Sequence, residues 1–197
     1  MALAAVSVLI CYADRSNIST AIIPMAGQFG WDASRQGLVL SAFFAGYLCT
    51  QLLGGALADR HGGQRVLAAG VAAWSITTCL TPQAAALGLP ALLAMRVAMG
   101  LGEGVAFPAI HALIARGVPP ERQSTAVAVV TAASYGGTAL AFGLAPTIIE
   151  DLGWPVGACL PAGVWARRMP SGVWACCLGA CLAWAATART AGLRQAC

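Results

Sequence analysis

Two long apolar runs, residues 37–58 and 66–86, are joined by so short a link that they must fold back on each other. Each run is about 21 residues or more, enough at 1.5 Å per residue to cross roughly 30 Å of hydrocarbon. The join lies in Gly54-Gly55-Ala56-Leu57-Ala58-Asp59-Arg60-His61-Gly62-Gly63-Gln64-Arg65, a charged, glycine-rich turn. Helices connected this tightly lie antiparallel and side by side. The turn also sets Arg60, His61 and Arg65 on one membrane face, which the positive-inside rule assigns to the cytoplasm. In a soluble protein Asp-Arg-x-Gly-Gly would be an ordinary turn; between two spanning helices it is informative.

Composition agrees with a lipid-facing chain. Hydrophobic residues make up 59% and charged residues 9%, against about 25% charged in soluble domains. All 11 basic residues are arginine. The net charge of +4 is no nucleic-acid signal, because the arginines are scattered over helix ends rather than gathered on a patch. The 8 cysteines include no C-x2-C pair. Cys11, Cys49 and Cys79 sit inside apolar runs and are read as small packing residues. No nucleophile–base pair or metal cluster appears, so neither an enzyme nor a cofactor is expected.

The rest of the chain divides in the same way. A first helix is expected over about residues 1–25, since no basic residue or clean cleavage site marks residues 1–13 as a signal peptide. A connection over 26–35 carries the interfacial Trp31. Pro82 and Pro90 bound a short link between the third helix and a fourth, residues 89–116. Gly117-Val118-Pro119-Pro120-Glu121-Arg122 is a hard break, and a fifth helix spans about residues 125–149, closing at Glu150-Asp151. Charge supports the alternation: the loops after the second and fourth helices hold Arg60, Arg65, Arg116 and Arg122, whereas the opposite loops up to Trp154 hold Arg35 alone. Residues 1–155 thus form one transmembrane bundle. Residues 156–197 read as a low-complexity tail, with a repeat at Pro161-Ala-Gly-Val-Trp-Ala166 and Pro170-Ser-Gly-Val-Trp-Ala175 and a candidate short sixth helix at 172–188.

Four ionisable residues fall well inside apolar helices: Asp14, Arg15, Arg96 and Glu103. Each costs at least ~2.5–3.5 kcal/mol at the bilayer centre, so function or pairing is the default inference. Together they sum to zero charge, as expected of a shared polar interior. Arg96 and Glu103 are two turns apart on one helix face, about 10 Å, which leaves each for a partner on the first helix or for a ligand. Arg15 lies about 15 Å from the outer end of its helix, too deep to snorkel fully. Two readings are open for it: an anion-binding role, or a structural ion pair with Asp14 or Glu103. Glu103 is the strongest candidate for proton coupling, with Asp14 beside it, because a desolvated carboxylate is suited to gain and lose a proton. His111 is read as a packed or pathway-edge residue. Gly100-Leu101-Gly102-Glu103-Gly104 follows no strand, so it is no phosphate loop. Gly100 and Gly104 instead permit close helix–helix approach, with a kink expected at Pro108.

With these residues in place, a family emerges. Tyr12-Ala-Asp-Arg15-Ser-Asn17, Ile22-Ile-Pro-Met25, Phe29-Gly-Trp31, the 54–65 turn, Arg96-Val-Ala-Met-Gly-Leu-Gly-Glu103-Gly104 with Pro108, and Val118-Pro119-Pro120-Glu121-Arg122 together resemble the anion:cation symporter branch of the major facilitator superfamily. The plastid-type phosphate transporters of plants and algae look most similar. The resemblance spans about residues 3–155. It implies an all-α membrane fold, the N-terminal six-helix half of a major facilitator. By position, Arg15 matches the arginine that meets the anion, and Arg96, expected as a second substrate-binding residue, matches the motif partner of Glu103. Glu103 matches the acid that takes up the proton. Gly55, Asp59, Arg60, Gly62 and Arg65 match the cytoplasmic gate motif, although Gly63 and Gln64 stand where the general superfamily has basic residues.

Such carriers have two six-helix halves, and this chain resembles one. The expected function is symport of phosphate or another small anion with a proton or sodium ion. The expected partners are the lipid bilayer and either a C-terminal half or a second copy. The location is a multi-pass position in a membrane, either of a plastid or at the cell surface. The rival expectation is a non-transporting membrane remnant or interaction protein.

Overall fold

The computed structural model describes residues 2–155, which form six helices and no strand. They are α1 (Ala2–Phe29), α2 (Ala33–His61), α3 (Gly63–Leu87), α4 (Leu89–Gly104), α5 (Ala106–Gly117) and α6 (Pro120–Leu152). The expectations for residues 156–197, the repeat and the sixth helix at 172–188 among them, lie outside the described residues. Three segments, Ala33–His61, Leu89–Gly117 and Pro120–Asp151, are by themselves long and apolar enough to cross a bilayer. α1 and α3 have 28 and 25 residues and therefore the length.

The helices are longer than the sequence reading made them, and the links correspondingly shorter. α1 runs through Pro24 to Phe29, so the 26–35 connection shrinks to residues 30–32. There Asp32 caps α2 by accepting from the Arg35 amide at 3.0 Å. The turn expected over 54–65 is helical on both sides of a single break at Gly62, whose φ of 85° is a left-handed conformation that glycine tolerates. Pro82 does not end α3; the break falls at Gly88. Pro120 starts α6 rather than preceding it, because a first-turn proline lacks only an N–H that would be unpaired anyway. Pro24 and Pro82 stay inside their helices for a shared reason: in lipid no water takes over a released backbone group, so helices persist through residues that would stop them in water.

The fourth span does break, but one turn before the proline. α4 ends at Gly104 and α5 begins at Ala106. Pro108 has no N–H to offer the Gly104 carbonyl, and its ring crowds that carbonyl.

Packing follows the small residues. α1 lies along α6, while α4 sits between α2 and α3. On the α2–α4 seam, a Cβ at Gly46 would strike the Val97 carbonyl, and one at Gly100 would strike the Phe43 carbonyl. The expectation that Gly100 serves close approach is therefore met, with Gly46 as its counterpart. Apolar clusters fill the bundle. One joins Ile22 and Met25 of α1 to Val39, Leu92 and Ile149. A central one joins Cys11 to Phe43, Trp74 and Met99. A third joins Val8 to Ile110 and Val130. The perimeter is apolar as well: Leu52 is 85% exposed and Ile23 69%, as a lipid-facing surface requires.

Candidate functional site

The four interior charges converge at the level of the central cluster. Arg15 reaches from α1 to α4, where its Nη2 and Nε both donate to Glu103 Oε2, at 3.1 and 3.2 Å. The Cys11 thiol, one turn earlier on α1, donates to the same oxygen at 3.4 Å. Glu103 Oε1 has no hydrogen-bond partner. The Glu103 side chain is fully enclosed and that of Arg15 is 18% exposed, so the cation is the member of the pair within reach of the bundle's opening. Of the two partners left open for Arg15 by the sequence, the structure selects Glu103.

Three aromatic rings surround the same guanidinium. Its central carbon stands 4.7 Å from the centroid of Tyr12, 4.9 Å from Phe43 and 4.4 Å from Tyr47. Such faces stabilise a cation without neutralising it. The cage follows from helical spacing: Tyr12 lies one turn before Arg15, and Phe43 and Tyr47 share a face of α2. That spacing was visible in the sequence, yet the three aromatics were not singled out as site residues.

Arg96 is 3% exposed and, as spacing implied, does not pair with Glu103. Its Nη1 instead contacts Met99 Sδ at 3.1 Å, its guanidinium lies 5.1 Å from the Phe43 ring, and its Nε has no partner. A thioether is a poor acceptor for a buried guanidinium. Arg96 thus keeps most of its capacity to bind an anion. Asp14 is also 3% exposed, and neither of its oxygens is hydrogen-bonded.

An open pocket of about 470 Å³ adjoins the cage, lined by Tyr12, Tyr47, Gln51, Phe107, Pro108 and His111. Tyr12 and Tyr47 belong to both, so the pocket leads to Arg15. His111 is exposed at its edge, stacked on Phe107 with Nδ1 2.8 Å from the Phe107 carbonyl. Cys49, read as a packing residue, is exposed, whereas Cys11 and Cys79 are buried.

The gate-motif residues collect at another place, where α2 gives way to α3. Asp59 Oδ1 accepts from Arg116 Nη2 of α5 at 2.9 Å. Arg60 and Arg65 are exposed, Gly55 is half-buried, and Gly62 makes the turn. The sequence reading used Arg116 only for topology; its pairing with Asp59 was not foreseen, because nothing local links positions 57 residues apart.

Comparison with known proteins bears on this arrangement. The profile of the Major Facilitator Superfamily matches residues 4–167. The chain is 49% identical over 149 residues to the "Probable anion transporter 4, chloroplastic" of Oryza sativa subsp. japonica, covering 76% of this chain and 25% of that protein. It is 48% identical over 147 residues to the "Sodium-dependent phosphate transport protein 1, chloroplastic" of Arabidopsis thaliana, covering 75% and 29%. It is 45% identical over 149 residues to the "Ascorbate transporter, chloroplastic" of Arabidopsis thaliana, covering 76% and 28%. The chain therefore spans between a quarter and three-tenths of the length of these relatives.

Proposed function

The chain belongs to the Major Facilitator Superfamily, and on that premise we propose that it is the N-terminal half of an ion-coupled carrier for a small anion. The observation that carries this reading is the Arg15–Glu103 pair, a caged and partly accessible cation whose counterion is an enclosed, titratable carboxylate. Breaking a buried pair by removing one partner costs about 3–5 kcal/mol, because the other charge is left uncompensated. An anion entering past Tyr12 and Tyr47 can replace Glu103 as the partner of Arg15. Glu103 then becomes the uncompensated charge, and a proton neutralises it. Binding of the anion and uptake of the proton are thus favourable together and costly apart, which is the requirement for symport. Arg96 offers a second cation from α4.

Phosphate or an organic anion such as ascorbate would suit these donors, in keeping with what the relatives are named for. The relatives' chloroplastic names favour a plastid membrane, crossed here by five spans: α1, α2, α3, α4 with α5, and α6. The basic loops face the cytoplasm or its plastid equivalent. Carriers of this kind bind substrate near the midplane between repeats, so the opposing wall comes from a second six-helix half or a second copy. The test is uptake of labelled phosphate and ascorbate into liposomes by a version carrying both halves, under an imposed proton or sodium gradient. Uptake above the gradient-free level supports the reading. No uptake of either anion under either gradient would overturn it.

A further inference from the structure

The cage around Arg15 continues into the open pocket of about 470 Å³ along two walls. On α2, Gln51 follows Tyr47 by one turn, about 6 Å along the axis. On the other wall Tyr12 meets Phe107 edge to face, with ring centroids 5.9 Å apart. Phe107 in turn stacks on His111, one turn farther along α5. Close backbone packing holds the two walls together. A Cβ at Gly104 would stand 3.1 Å from the Gln51 amide nitrogen, and one at Gly54 would stand 3.1 Å from the Pro108 ring. On both walls a polar side chain thus stands one turn beyond an aromatic ring of the pocket.

The chemistry of these side chains is defined. The Phe107 carbonyl can only accept, so His111 Nδ1, 2.8 Å away, carries the proton of that contact. The neutral ring is left with its lone pair at Nε2, an acceptor for a ligand O–H. The Gln51 amide both donates and accepts. Tyr12, Tyr47 and Phe107 supply the apolar lining between the polar groups, the usual make-up of a site for a carbon-bearing ligand. Inorganic phosphate suits such walls badly. It has no C–H surface to set against the rings, and its oxygens, chiefly acceptors, would face the His111 lone pair. A single phosphorus with its oxygens would also fill little of the pocket, whose volume lies in the range of about 300–1,000 Å³ usual for organic ligands.

We propose that this pocket holds the carbon body of a hydroxylated organic anion whose charged end meets Arg15, with Gln51 and His111 reading its hydroxyl groups, and that such anions are preferred to inorganic phosphate. Gln51 and His111 are then specificity-determining residues, and Phe107 the surface on which the body lies. A site built to hydrogen-bond a hydroxyl rejects an analogue without one, because its own polar groups are then left unpaired. The inference rests on the carrier reading and names the substrate class within it.

The purified 197-residue chain in lipid nanodiscs supplies the test. Binding of labelled ascorbate and labelled gluconate is measured, with phosphate and the hydroxyl-free cyclohexanecarboxylate as competitors. At least one of the two hydroxylated anions should bind tenfold or more tightly than either competitor. Gln51→Leu and His111→Phe, which keep much of the shape, should each lower that preference about tenfold. Both positions are exposed, and a ratio of affinities is not moved by a general loss of folded protein. Binding of neither hydroxylated anion, an equal or greater affinity for phosphate, or a preference unchanged in both variants overturns the inference. Preferred binding of ascorbate or gluconate with no gradient-driven uptake by a two-half version would sink the carrier reading and leave the pocket standing. Gradient-driven uptake of phosphate in preference to both organic anions would do the reverse.

Discussion

Arg15 and Glu103 meet through a single carboxylate oxygen: two nitrogens of the guanidinium converge on Oε2, while Oε1 has no partner. A bidentate fork would spread the contact over both oxygens and hold it more firmly. This one-sided pair leaves half of the Glu103 carboxylate uncommitted, and the exchange of partners proposed for Arg15 draws on that looseness.

In a version carrying both halves, Arg15→Ala should abolish anion binding, seen as loss of labelled-substrate uptake and of counterflow alike. Arg15→Lys keeps the charge but not the planar geometry, and should lose at least tenfold in apparent affinity. Unchanged affinity in Arg15→Lys would reduce the role of Arg15 to that of a point charge.

Glu103→Gln keeps the shape and an acceptor but cannot gain and lose a proton. Gradient-driven uptake should fall to the gradient-free level while substrate exchange persists. Net uptake and counterflow measured side by side separate the two. Normal concentrative uptake would remove proton coupling from Glu103 and leave a sodium gradient as the driving force.

The α2–α4 seam predicts a steep dependence on residue size. Gly46→Val must displace the Val97 carbonyl or separate the helices, and overpacking of this kind costs about 1–3 kcal/mol or more. Gly143 has nothing within 4 Å of where a Cβ would stand, so Gly143→Ala should be neutral or stabilising by up to ~1 kcal/mol. Thermal melts of the detergent-purified variants check both.

The Asp59–Arg116 pair is exposed on both sides, at 70% and 59% of the side chain. A double-mutant cycle with Asp59→Asn and Arg116→Gln should give a coupling of about 0.2–1 kcal/mol that shrinks with added salt. A larger, salt-insensitive coupling would mean that the pair is covered in the assembled protein.

Because Asp59 and Arg116 touch, the ends of α2 and α5 lie on one face. Cysteines placed at positions 62 and 121 should be labelled from the same side of the membrane, and one at position 30 from the other. Labelling of 62 and 121 from opposite sides would overturn the arrangement of spans.

Much of this fold could be read from the alternation of apolar runs and charged links, because length and hydrophobicity decide what can cross a bilayer. The ends were misjudged at the prolines: Pro24 and Pro82 lie inside helices, since lipid offers a broken helix no substitute partner, and Pro120 opens α6 at the position where proline fits any helix. The interior charges were identifiable from their cost alone. Their partners were not, because the meeting of Arg15 with Glu103 joins positions 88 residues apart. The aromatic cage likewise depends on which helix faces which, and that is decided by small-residue seams such as Gly46 against α4.

The interruption at Val105 turns α5 into a lever. Glu103 stands just before the break and Arg116 near the far end of the 12-residue helix beyond it. At 1.5 Å per residue the arm is about 18 Å long, so a tilt of about 10° at the break carries its tip roughly 3 Å. That displacement is comparable with the 2.9 Å contact between Arg116 and Asp59. A tilt of that size at Val105 is therefore enough to make or part the contact at the far end of α5, which gives the break a mechanical reach well beyond its own turn.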